Sequence, residues 1–373
     1  MGARRLAVVG MYAGGFLGPF GGAVTSSVLP EIGGDFHVSA GTAATTLTGY
    51  LLPFAGFMLV SGTLGERWGA RRTVRSAYLV YVVASVLCAV SWSFPLLIGG
   101  RAIQGAANAF TTPLLLATIA AVTPKERLGR ALGMFASMQA AGQTSAPLVG
   151  GLAAEASWRW AFVGAAVVAG LLALTGLPAD PPRSERPPRL RSAWRPEVLR
   201  LAAVGFVGWG CLGGVSFLVA LRLGDDFGLG AGARGLVLTG FGVVGIVAAR
   251  LTGWLIDRFG PRRCVLLGTT VGSVLLALIG VLPSLVAVGA LWAVSGAFSQ
   301  AVIVGLNALV LRDDGANRGG AVSVLQSFRF MGGAASPMAF VPLYHLNPMS
   351  AFLTPAALVL LLPPGLLWRR RGR

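Results

Sequence analysis

Residues 62–72 read Gly-Thr-Leu-Gly-Glu-Arg-Trp-Gly-Ala-Arg-Arg, and residues 253–263 read Gly-Trp-Leu-Ile-Asp-Arg-Phe-Gly-Pro-Arg-Arg. Both fit Gly-x-Leu-x-(Glu/Asp)-Arg-x-Gly-x-Arg-Arg, and they lie 253 − 62 = 191 residues apart. Two further windows keep nearly the same spacing. Glu31-Ile-Gly-Gly-Asp35-Phe36 resembles Arg222-Leu-Gly-Asp-Asp226-Phe227, with 226 − 35 = 191, and Gly142 and Pro147 match Gly332 and Pro337, with 332 − 142 = 190. Three windows in one order at an offset of 190 or 191 mark an internal duplication.

The chain between these windows is apolar. Of 373 residues, 55% are hydrophobic and only 12% charged, against about 25% charged in soluble domains. Apolar runs recur at the length of about 20 residues that a helix needs to cross a bilayer. Lipid offers no partner to backbone polar groups, so helices are the expected spanning element. The alternation of a β-barrel is absent. The expected spans are 6–29, 42–65, 74–93, 95–121, 131–153, 159–177, 199–221, 234–256, 264–282, 284–310, 319–342 and 350–367. The N-terminal run, with Arg4 and Arg5 before it, is read as a retained first helix rather than a cleaved leader.

Residues 178–198 interrupt the pattern with prolines and Arg183, Arg186, Arg189, Arg191 and Arg195. This is a stiff polar linker between an N-terminal six-helix bundle, 1–177, and a C-terminal one, 199–373. The expected fold is an all-α membrane protein of twelve transmembrane helices. An even number of spans per half makes its two bundles a parallel pseudo-twofold repeat.

The net charge of +17 does not point to nucleic acid, because the arginines sit in short joints between apolar runs. Arg4 and Arg5, then Arg67, Arg71, Arg72 and Arg75, then Lys125, Arg127 and Arg130, the linker, Arg258, Arg262 and Arg263, Arg312 and Arg318, and the tail Arg369, Arg370, Arg371 and Arg373 fall on one side. The alternate loops carry little positive charge. Both termini are therefore expected in the cytoplasm of a multi-pass cell-membrane protein. Cys88, Cys211 and Cys264 are scattered, with no disulfide framework and no metal spacing.

With its paired 62–72 and 253–263 segments, the chain resembles the major facilitator superfamily over essentially its whole length. The family form carries Asp where Glu66 stands; the second copy has Asp257. Gly62 and Gly253 allow close helix approach, a carboxylate at a helix end suits a neighbouring helix N-terminus, and Gly69 and Gly260 suit tight turns. The arginines suit anionic lipid head groups. The resemblance implies that Gly62, Glu66, Arg67, Gly69, Arg71 and Arg72, with Gly253, Asp257, Arg258, Gly260, Arg262 and Arg263, form a cytoplasmic latch. Residues Gly133, Gly142, Ala146, Pro147, Gly150 and Gly151 resemble the motif of the superfamily's exporters, with Ala146 in place of a glycine. Gly142, Ala146 and Gly150 make one smooth helix face, and Pro147 can bend the helix. The segment Trp158-Arg-Trp-Ala-Phe162 also looks like the drug-exporter branch.

In the fourth span Arg101, Gln104, Asn108 and Thr111 fall in one arc. Such a polar stripe lines a cavity or bonds other helices. In the family this arginine is linked to proton transfer. Gln139, Gln143, Gln300, Asn307, Gln326 and Arg329, with the aromatics Tyr50, Phe54 and Trp209, complete the candidate substrate cavity. Every acidic residue falls at a helix end or in a loop, so proton coupling would use Glu31, Asp35 or Glu155, with Arg101.

No feature of the sequence requires more than a monomer, and the resemblance implies a secondary transporter. It would export small amphipathic, drug-like molecules by alternating access in exchange for protons, with membrane lipids around it and no nucleic-acid partner, cofactor or metal. An alternative is an exporter or facilitator of an anionic metabolite or lipid-like solute, with Arg101 and Arg329 as counter-charges. An enzyme or non-transporting receptor is more remote: Lys125 is the only lysine and belongs to no phosphate loop, and two histidines make no zinc site.

Overall fold

The computed structural model describes residues 2–178, 188–312 and 317–367. Arg183 and Arg186 of the linker, Asp180, Glu185, Asp313, Asp314 and the tail arginines lie outside the described residues. Everything regular in the described chain is helical. The helices are α1 (Gly2–Ala23), α2 (Leu29–Phe36), α3 (Ala40–Trp68), α4 (Ala70–Ala89), α5 (Phe94–Asn108), α6 (Thr112–Val122), α7 (Leu128–Ala154) and α8 (Arg159–Thr175). Then come α9 (Pro196–Gly208), which begins inside the expected linker 178–198, α10 (Ser216–Asp225), α11 (Ala231–Phe259), α12 (Pro261–Val281), α13 (Leu285–Arg312), α14 (Arg318–Leu346) and α15 (Pro348–Leu367).

Local chemistry sets the boundaries. Ser39 caps α3, its Oγ accepting from Thr42 N at 3.1 Å. Asn317 caps α14, its Oδ1 accepting from Gly320 N at 2.9 Å. Gly69 and Gly260, at φ 94° and 88°, are the single residues that turn α3 into α4 and α11 into α12; a side chain strains such a backbone. Pro261 and Pro196 sit in first helical turns, where a missing N–H costs nothing. Pro53, Pro147 and Pro337 lie inside helices, where membrane packing tolerates them.

Among the described residues, nine segments are long and apolar enough to cross a membrane: Arg5–Ser27, Thr42–Trp68, Ala70–Ala89, Phe94–Val122, Pro196–Asp225, Gly232–Phe259, Pro261–Val281, Leu285–Arg312 and Pro348–Leu367. Helix α8 is apolar but shorter. Helices α7 and α14, of 27 and 29 residues, occupy the expected spans 131–153 and 319–342 but are not among the nine. Two expected continuous spans are interrupted. The fourth breaks between α5 and α6, and the seventh passes through a π-helical stretch at Trp209–Gly213 between α9 and α10. Both ends of α3 and α11 differ by the sequence offset, 231 − 40 and 259 − 68 each giving 191.

The described chain forms two compact units. The first holds 1–122, 138–193 and 315–323; the second holds 123–137, 194–314 and 324–373. The expected halves and these units interleave where α7 and α14 begin. In the first unit α2 is anchored by an apolar cluster of Val28, Ile32, Ala43, Cys88, Leu97, Trp158 and Phe162. Such burial is worth about 25 cal/mol per Å² of apolar surface where water is the alternative.

Candidate functional site

In the first unit the polar arc of α5 is fully buried: Arg101, Gln104 and Asn108 have no exposed surface. Arg101 Nε donates to the Thr46 carbonyl at 3.2 Å and Nη1 to Gln104 Oε1 at 2.9 Å. Gln104 Nε2 donates to Ser85 Oγ at 2.7 Å. Asn108 Nδ2 donates to Tyr50 OH at 2.9 Å, and Tyr50 donates on to the Gly18 carbonyl at 3.1 Å. The arc thus bonds α5 to α3 and α4 and, through Tyr50, to α1. The guanidinium lies 4.5 Å over the Tyr50 ring and 5.8 Å from Phe162, an arrangement attractive to a cation. Phe54 stacks on Tyr50 at 5.8 Å. Arg101 Nη2, Tyr78 OH and Tyr81 OH have no hydrogen-bond partner among the described residues. Gln139 is buried and Gln143 exposed.

In the same unit the three acid candidates separate. Glu31 and Glu155 are exposed. Asp35 Oδ2 accepts from Trp158 Nε1 at 2.8 Å and from Arg159 Nη1 at 2.7 Å. The indole N–H foremost, then the Arg159 guanidinium, holds the Asp35 carboxyl below its ordinary range against the opposing effect of partial burial. Arg159 Nη2 also donates to the Ser91 carbonyl at 2.8 Å. This network ties α2 to the start of α8 and the end of α4.

Two carboxylates at helix ends meet helix N-termini. Glu66 Oε1 accepts from Gly319 N in the first turn of α14. A Cβ on Gly62 would lie 1.9 Å from the Gly319 carbonyl oxygen, so only glycine fits. Arg67 Nε donates to the Pro188 carbonyl at 2.6 Å. In the second unit Asp257 accepts from Gly129 N at 2.7 Å, from Arg130 N at 3.0 Å and from Arg130 Nε at 3.3 Å, with Arg312 at 3.6 Å. A Cβ on Gly253 would lie 2.4 Å from the Gly129 carbonyl oxygen. An acid at such an N-terminus gains both orphan N–H donors and the positive end of the dipole. Arg258 packs 5.4 Å over Trp254, Arg262 donates to the Leu367 carbonyl, and Arg72 and Arg263 are exposed.

The glycines of α7 serve two contacts. Gly133 faces Ala249 of α11, whose carbonyl oxygen would be 2.3 Å from a Cβ. Gly142 and Gly150 face Phe16 and Val24, at 2.2 and 2.5 Å from those carbonyl oxygens. Ala146 between them is fully buried. Gly151 meets nothing within 4 Å.

The second unit holds the other polar cluster. Arg329 Nη1 donates to Gln326 Oε1 at 3.0 Å, and the guanidinium lies 4.4 Å over the Trp209 ring. Arg329, Gln326, Asn307 and Trp209 line a cavity of about 10 Å³, the size of one water. Arg329 Nε, Gln326 Nε2 and Asn307 Oδ1 are buried without a partner among the described residues. Gln300, also buried, lies outside this cavity lining.

Sequence reasoning missed three features. Arg222, read as a loop residue, is buried in the last turn of α10, pairing with Asp226 at 2.8 Å and donating to the Leu282 carbonyl at 2.9 Å; its i, i+4 acid was a legible signal. Arg250 is exposed within the span Gly232–Phe259, and a charge inside an apolar run marks such a residue. The phenols of Tyr78 and Tyr81 had no such signal.

Among known proteins, the Major Facilitator Superfamily model matches residues 11–233 and 201–373. The uncharacterized MFS-type transporter EfpA of Mycobacterium tuberculosis is 38% identical over 136 residues, 36% of this chain and 26% of that relative. The multidrug resistance protein B homolog of the same species is 33% identical over 130 residues, 35% of this chain and 24% of that relative. The tetracenomycin C resistance and export protein of Streptomyces glaucescens is 30% identical over 210 residues, 52% and 38%. The chain thus matches well under half the length of these relatives. The fold is shared with the E. coli fucose:proton symporter FucP (TM-score 0.80, 14% identity, 97% of this chain and 98% of that one). It is shared too with the human organic anion transporter MFSD10 (TM-score 0.79, 16% identity, 97% and 99%). The matched family model shows that the chain belongs to the Major Facilitator Superfamily, and with its apolar helices and this shared fold it is a multi-pass membrane protein.

Proposed function

We propose that the protein exports small amphipathic molecules across the cell membrane by alternating access, in exchange for protons. The observation that carries the reading is the face Gly142, Ala146, Gly150 on α7, set against the α1 backbone at Phe16 and the Val24 carbonyl just beyond it. Two relatives whose names denote multidrug resistance and tetracenomycin export support it. Twelve spans in two bundles, 1–177 and 199–373, joined by 178–198 with both termini cytoplasmic, supply the frame; the shared offset of α3 and α11 supports a parallel repeat. Glu66 and Asp257, capping α14 and α7, act as the cytoplasmic latch. It closes when the carboxylates reach the helix N-termini and opens when those contacts are exchanged for water.

Proton exchange rests on Glu31, Asp35 and Glu155, with Arg101. Asp35 is poorly suited to the role, since a carboxyl held below its ordinary range stays ionised at neutral pH. Proteoliposomes with an imposed pH gradient test the whole reading with cationic, neutral and anionic amphiphiles. Accumulation that collapses with a protonophore supports antiport. Movement only down the solute's own gradient, indifferent to pH, removes the proton from the mechanism and leaves a facilitator.

A second reading has its own observation. Arg101 and Arg329 are buried guanidinium groups, each with an unpartnered nitrogen and no carboxylate bonded to it among the described residues. Buried charge is costly unless something compensates it, and an anionic solute would. Arg329→Ala then removes a preference for anions; unchanged selectivity across the panel rejects this reading.

A further inference from the structure

A cavity of the first unit takes no part in the contacts described so far. It has a volume of about 620 Å³ and is walled by α3, α4, α5 and the residues just after α5. Phe57, Trp68, Val80 and Ile103 on its rim are 50%, 54%, 45% and 44% exposed, so it opens sideways from the helices. Trp68 stacks on Phe110 at 6.0 Å and Phe57 lies 6.4 Å from the same ring. Ser76 and Ala106, both small, leave the hollow between the aromatic wall and the helices.

Its charge is all at one end. Arg72 lines the cavity at the first turn of α4. Arg75 follows one turn on, and neither arginine makes a hydrogen bond or ion pair with a described residue. In a membrane protein an apolar groove facing sideways meets lipid, and basic pockets between helices take anionic head groups.

We propose that this groove binds one anionic phospholipid, an acyl chain along Phe57, Val80, Ile103 and Phe110 and the phosphate on Arg72 and Arg75. The bound lipid braces the end of α3 at Trp68, two residues after Glu66, whose carboxylate caps α14. The site is separate from the polar clusters around Arg101 and Arg329 and does not depend on which solute is transported.

The test uses the purified full chain in a mild detergent, with phosphatidylglycerol or phosphatidylcholine of identical chains added, and native mass spectrometry reading the retained lipid. The wild type retains phosphatidylglycerol preferentially. Arg72→Gln and Arg75→Gln each lower that preference by about fivefold, the factor that about 1 kcal/mol per basic residue at a membrane surface corresponds to. Ala106→Trp, which fills the groove, lowers retention of both lipids. Ser76→Leu narrows it from α4 and does the same should the Trp variant not remain monodisperse on gel filtration. Arg200→Ala, removing an exposed arginine on α9, leaves retention unchanged. Equal retention of the two lipids by the wild type overturns the proposal. So does unchanged retention in both groove-filling variants. Displacement of the lipid by glycerol phosphate alone shows an anion site without an acyl chain and overturns it as well.

Discussion

Asp35 is half-exposed, yet it receives an indole and a guanidinium hydrogen bond. Its carboxyl is held below the ordinary value of 3.8. A group with a depressed folded pKa stabilises the protein above its unfolded pKa and loses that contribution as pH falls through the folded one. The thermal melting temperature of Asp35→Asn in detergent should therefore lie below that of the wild type at neutral pH. The gap should close only below pH 3.8; a gap that persists unchanged into stronger acid contradicts this account. Asp257 makes a different demand. Its side chain is 5% exposed and accepts from two backbone N–H groups and Arg130. Asp257→Ala should cost about 1.5–3 kcal/mol, the range for hydrogen bonds to charged groups, read as a shift in denaturation midpoint. Residue types and spacing were enough to single out Arg101, Gln104 and Asn108 as one arc. Their partners Thr46, Ser85 and Tyr50 come from other helices, and no spacing within the fourth span encodes them.

Helix α7 runs against the α1 backbone on glycines. A side chain at Gly142 would drive its Cβ to 2.2 Å from the Phe16 carbonyl oxygen, whereas Gly151 has open space. Gly142→Leu should destabilise by about 1–3 kcal/mol, the cost of overpacking. Gly151→Leu should stay within about 0.5 kcal/mol, as surface changes do. Melting temperatures of the pair decide it, and equal losses would deny the close packing. The turns after α3 and α11 allow the same comparison. Gly69→Ala forces a positive φ of 94° on a residue with a Cβ and should cost about 1–3 kcal/mol. Helices of this length were readable because apolar runs and arginine joints are local patterns. The gap between α5 and α6 was not, nor the π-turn at Trp209–Gly213. Each alters the hydrogen-bond register inside an apolar run without altering its apolarity.

Membrane sidedness is testable on the intact chain. Cys88, Cys211 and Cys264 are buried and free, so background labelling by a membrane-impermeant maleimide is low. His37 and Arg127 are exposed. In cells, His37→Cys should label from outside and Arg127→Cys only after permeabilisation; the reverse pattern inverts the topology. The sequence by itself determined that the chain crosses a membrane repeatedly, that it carries a duplicated Gly-Leu-acid-Arg-Gly-Arg-Arg joint, and that it resembles transporters. Hydrophobic length, charge placement and internal repetition are one-dimensional properties, and the bilayer acts on them directly. Only the tertiary structure decided that the Arg101 arc is spent on neighbouring helices and that Arg329 faces a water-sized space with Gln326 and Asn307. It alone placed Glu66 and Asp257 on the N-termini of α14 and α7, and opened a groove between α3, α4 and α5. A buried polar group is satisfied by whichever helix lies opposite it, and which helix lies opposite is settled by packing, not by position along the chain.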